Sequence, residues 1–158
     1  MMLGFKRRFA PYVLDGSKTH TIRGLRKDGK TAKPGETLHC YVDPRQKSML
    51  LLGRWECVRV EMTEFYTRAD GTVALFLEKE SLSLEEKNLL AYRDGFRSDD
   101  PFLEMMRYWM GTRGKIIGIC VTKKCKPLEP RVVRGEIAFV GHLTHWRFDE
   151  RTRNPEWQ

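Results

Sequence analysis

Gly16-Ser17-Lys18-Thr19-His20-Thr21-Ile22-Arg23 is the stretch on which the reading of this chain turns. Ahead of it Phe5, Phe9 and Val13, with Tyr12 beside them, recur at helical spacing and stop at Asp15-Gly16, a helix-ending pair. Within it Thr19–Arg23 alternates and is rich in β-branched residues, so a helix hands over to a strand near Lys18. A lysine at such a junction has little structural purpose, which makes Lys18 a candidate functional residue. Residues 18 and 21 would face opposite sides of a regular strand. A shared role for Lys18 and Thr21 therefore requires a bend near Thr19.

Outward from this stretch, Met2–Phe5 reads as a short first strand. Residues 24–35 hold three glycines, Pro34 and the cations Arg26, Lys27, Lys30 and Lys33, the composition of a basic loop. Strand signals follow at 37–42 and 49–65, with Gly53 marking a candidate bulge. Residues 81–94 carry a capping box at Ser83–Glu86 and predict a helix with Leu89, Leu90 and Tyr92. Pro101 opens a second helix that Gly111 is expected to end. Strand signals return at 115–124 and 136–148. The expected fold is α+β, a mainly antiparallel, barrel-like sheet with helices at its rim. The 158 residues show no repeat and are expected to form a single domain, 1–158.

Composition narrows the function classes. No window approaches 18 consecutive apolar residues and the first residues lack a long apolar run, so neither a membrane span nor a secretory signal is expected. Cys40, Cys57, Cys120 and Cys125 form no CxxC pair and read as reduced, buried thiols of a cytoplasmic protein. His142 and His145 would point to opposite faces of a strand, and no zinc-ligand cluster is visible, so no metal is expected. The formal net charge is +8, and it is segregated. Residues 1–54 hold 12 Lys/Arg against 4 Asp/Glu, whereas residues 78–104 hold 8 acids against 4 bases. Segregation of this kind suggests a side facing a polyanion. Lys18, Arg23, Arg26 and their neighbours supply cations for phosphate, Thr19 and Thr21 supply hydroxyls, and Trp55, Tyr41 and Trp146 are candidate stacking surfaces for bases.

The residues 16–23, followed by Lys33-Pro34-Gly35-Glu36-Thr37-Leu38, resemble the signature of the ASCH family, part of the PUA-like β-barrel superfamily. Arg93-Asp94-Gly95-Phe96-Arg97-Ser98 resembles the D-G-F element of that family, and Phe139–Trp146 its closing strand. The resemblance covers nearly the whole chain, with its elements in order. It implies a PUA-like barrel that holds a nucleoside or RNA in a basic cleft.

The resemblance also implies candidate chemistries. Lys18, Thr21 and Asp94 fall where the N4-acetylcytidine amidohydrolase branch places a lysine, a threonine and a glutamate, with Asp94 one methylene shorter than the glutamate. Amide hydrolysis needs a nucleophile, a proton acceptor and stabilisation of the oxyanion. Thr21 serves as the nucleophile or positions a water, and either Lys18 or Asp94 is the base. A ribonuclease branch implies a different set, Tyr41, Lys47 and Thr122. A third reading is an RNA-binding module without turnover. No Gly-rich nucleotide loop or Ser/His/Asp triad is present in the sequence, and no cofactor is expected. The expected partner is a modified cytidine nucleoside or RNA.

Overall fold

The computed structural model describes residues 1–68, 73–113 and 135–155. The expected strand at 115–124, with Cys120, Thr122 and Cys125, lies outside them. Seven strands and three helices follow in the order β1 (Met2–Phe5), α1 (Ala10–Leu14), β2 (His20–Gly24), β3 (Thr37–Val42), β4 (Leu50–Arg68), β5 (Val73–Leu77), β6 (Glu80–Ser81), α2 (Leu84–Arg93), α3 (Pro101–Arg113) and β7 (Gly135–Arg147). A 3-10 turn over Arg7–Phe9 leads into α1.

This is a mixed α+β fold on a mostly antiparallel sheet. The long β4 is its spine: it pairs antiparallel with β3, β5 and β7, and β7 in turn pairs with β2. The exception is β1, which pairs parallel with β3. Between Cys40 and Tyr41 the β3–β4 register slips, so Leu52 is an extra residue beside Gly53. The expected bulge therefore falls where the glycine is. Among the described residues no ladder joins β1 to β2. Their edges are bridged instead by a hydrogen bond from the Arg23 guanidinium to the Gly4 carbonyl.

Alternation explains the core. In β3, Leu38, Cys40 and Val42 are buried while Thr37 is exposed. From β4, Trp55 stacks on Phe148 at 5.7 Å and on Trp146 at 6.5 Å between centroids. Full burial of such side chains contributes about 1.5–3 kcal/mol each. Phe9, Phe96 and Tyr108 pack edge-on or tilted at 5.4–5.7 Å, joining the 3-10 turn to α3 and the end of α2.

The capping box forms as the sequence predicts: the Glu86 amide donates to Ser83 Oγ and the Ser83 amide to the Glu86 carboxylate. The expected end of α3 at Gly111 is corrected, because the helix runs on to Arg113. Glycine ends a helix only where it takes the left-handed conformation, and inside a helix it costs only about 1 kcal/mol.

Candidate functional site

The site is built on the junction between α1 and β2. Gly16, at φ +77°, turns the chain out of α1 in the left-handed conformation that glycine tolerates best. The Lys18 amide then donates to the Tyr12 carbonyl at 2.8 Å. Lys18 thus lies in the turn ahead of β2, outside the strand that begins at His20. The alternation that would separate residues 18 and 21 does not apply, and both line one cleft.

Asp94 reaches the same place from the far end of α2. It is the C-cap of that helix, its amide bonded to the Leu90 carbonyl at 2.9 Å. Gly95 follows at φ +97°, where an added Cβ would lie 2.9 Å from the Phe9 ring. The Lys18 ammonium donates to the Asp94 carboxylate Oδ1 and, at 2.6 Å, to the Asp94 carbonyl. Lys18 and Asp94 are only 2% and 4% exposed. Phe9 and Phe5 lie under the ammonium, with ring centroids 5.3 and 5.9 Å from Nζ.

Burial and pairing pull these two groups in opposite directions. Burial lowers the pKa of Lys18 against the opposing pull of Asp94, and the charges of Arg23 and Arg97 lower it further. Burial raises the pKa of Asp94 against the charge and hydrogen bond of Lys18. A dry site disfavours both charged forms, so the proton affinities of amine and carboxyl are brought closer than in water. Such a pair can pass a proton to or from a third group. His20 lies beside it, with Nε2 4.0 Å from Asp94 Oδ1 and 3.2 Å from the Leu90 carbonyl. Burial, with the charge of Lys18, drops the His20 pKa to about 3. A neutral His20 then donates from Nε2 to that carbonyl.

The cleft, about 250 Å³, occupies the seam between β1 and β2. Gly4, Phe5 and Lys6 form one side and Lys18, Thr21, Ile22 and Arg23 the other, with Asp94 and Phe96 also lining it. Asp43, Pro44 and Gln46, from the turn after β3, also line it. Its lining is mixed: apolar rings, one buried ion pair, a hydroxyl and a guanidinium. Apolar walls with a few convergent polar groups are also what small-molecule sites present.

The other expected residues are dispersed. Trp55 and Trp146 are corrected: both are buried in the core, 2% and 3% exposed, and offer no free face. Arg26 is exposed and forms two hydrogen bonds with Asp28 in its own loop. Thr19 lines a second cavity, of about 430 Å³, with His20, Arg59, Glu61, Arg93 and His145. Half-buried Tyr41 and exposed Lys47 do not line the first cleft, and Thr122 lies outside the described residues. Asp43, Gln46 and the Phe5–Phe9–Phe96 floor were not picked out as site residues. Only Phe96, beside Asp94 in a motif, carried a signal.

Cys40 and Cys57 are free and buried, and burial pushes the Cys40 thiol up to about 12, which makes it unreactive. Among the described residues no group of three or more His, Cys, Asp or Glu side chains is placed to hold a metal ion. No described helix is long and apolar enough to cross a membrane. Compared with known proteins, the chain matches no family model, no curated protein and no solved structure.

Proposed function

We propose that this chain is an ASCH protein with a PUA-like barrel, and that it removes the acyl group from N4-acylated cytidine. One observation carries the reading: a buried Lys18–Asp94 pair shares a cleft with Thr21. In amide hydrolysis the acyl carbon–nitrogen bond breaks, the acyl carbon gains hydroxyl from water, and N4 of the base gains hydrogen. Either a water that the Thr21 hydroxyl holds attacks the carbonyl carbon, or the hydroxyl itself attacks and a water then hydrolyses the acyl-threonine ester to free the acid and regenerate Thr21. The proton of the attacking oxygen goes to whichever member of the pair is the base, and the amine leaving group takes a proton back from the pair. The ammonium of Lys18, when charged, stabilises the oxyanion. Arg23, on the same wall, offers a cation for a phosphate or a sugar hydroxyl.

The test is acetate release from N4-acetylcytidine by the wild type and by Lys18→Ala. Turnover by the wild type with a loss of at least about a hundredfold in the variant is expected. An unchanged rate in Lys18→Ala would remove the pair from the chemistry.

RNA binding without turnover is the second reading, favoured by the exposed cations Lys27 and Lys30 of the loop between β2 and β3. Its mark is affinity that falls steeply with salt, because each neutralised phosphate releases counterions. The ribonuclease reading gains no support from the placement of Tyr41 and Lys47.

A further inference from the structure

The segment that delivers Asp94 has a second face. Asp94 and Phe96 line the cleft, whereas Tyr92 and Arg93, the last two residues of α2, are exposed, and Arg93 also lines the second cavity. Tyr92 is 49% exposed although it is a large aromatic residue. The guanidinium of Arg97 lies over its ring at 3.8 Å from the centroid and over the Tyr12 ring at 4.8 Å. Arg97 also donates to Ser17 Oγ at 3.1 Å. Ser17 is the neighbour of Lys18, so the stack is tied to both segments that supply the buried pair. Arg93 forms no ion pair among the described residues. An open tyrosine ring backed by a guanidinium, with a second arginine beside it, is a stacking surface flanked by phosphate-binding charge.

We infer that Tyr92, Arg93 and Arg97 form a platform for a nucleotide flanking the acylated cytidine, and that the substrate is single-stranded RNA rather than the free nucleoside. The base of the flanking nucleotide stacks on Tyr92, and its phosphates meet Arg93 and Arg97. No sequence preference follows, since every base presents a flat face. The inference rests on the amidohydrolase reading for its substrate, but the platform itself is testable without turnover.

The experiment compares kcat/KM on N4-acetylcytidine and on a trinucleotide with N4-acetylcytidine at its centre. In the wild type the trinucleotide is favoured by roughly five- to a hundredfold, the range for one stacked base. Tyr92→Ala brings that ratio close to one, and Tyr92→Trp restores it. A wild type without preference, or a ratio that Tyr92→Ala does not move, overturns the platform. If the wild type hydrolyses neither substrate, the amidohydrolase reading has failed by itself. Fluorescence anisotropy of a labelled, unmodified oligoribonucleotide then decides the platform. Binding weakened at least fivefold in Tyr92→Ala supports it, and equal affinity overturns it.

Discussion

Two ionisable groups define the account at the scale of single residues. A buried ion pair adds little stability while intact, but breaking it strands the partner in a dry site, at a cost of about 3–5 kcal/mol. Lys18→Met is expected to lose stability in that range in a urea titration, whereas Lys18→Met combined with Asp94→Leu recovers much of it. His20 sets a pH dependence. Its pKa in the folded chain, about 3, lies below its unfolded value, so folding favours the neutral ring. The stability it contributes is present above the unfolded pKa and is lost as pH falls toward the folded value. Wild-type stability is expected to drop between pH 6 and pH 4 by up to about 1.4 kcal/mol per pH unit more than that of His20→Gln. Parallel slopes in urea midpoints would show His20 to be charged or exposed. Lys18 and Asp94 were legible because each sits in a motif that contains a glycine, Gly16 two residues before Lys18 and Gly95 directly after Asp94. Trp55 and Trp146 were misread because residue type does not say which face of a strand points inward. His20 was passed over because it stands between two motif positions and its burial depends on α2, about 70 residues further on.

At the scale of elements, the end of α2 matters more than its start. Gly95→Ala places a Cβ against Phe9 in a left-handed backbone conformation. Loss of more than about 1 kcal/mol of stability is expected, together with a lower deacylation rate as Asp94 is displaced. Ser83→Ala removes the cap at the other end of the same helix. It is expected to cost about 1 kcal/mol in thermal unfolding while leaving turnover near wild type, since Asp94 is held by the last turn. Helices and strands with strong periodicity were legible, as β3 and α2 show. The β5–β6 hairpin was not. Its turn residues Glu78 and Lys79 have φ of +48° and +77°, a conformation that Asn-Gly usually signals and that nothing in Glu-Lys announces.

For the whole molecule, the cleft follows from topology. Among the described residues β1 pairs only with β3 and β2 only with β7, so the seam between them is left for Lys18, Thr21 and Arg23 to line. The basic loop after β2 starts from the same wall. If RNA is the partner, affinity is expected to fall by roughly tenfold or more between about 50 and about 200 mM salt. In the proposed reaction Lys18 and Asp94 act as one unit on an acyl group. A double-mutant cycle on kcat/KM for N4-acetylcytidine, using Lys18→Ala, Asp94→Ala and the combined variant, measures that directly. Groups that act together give single losses nearly as large as the double loss. Losses that simply add, or turnover that survives both substitutions, would contradict the account.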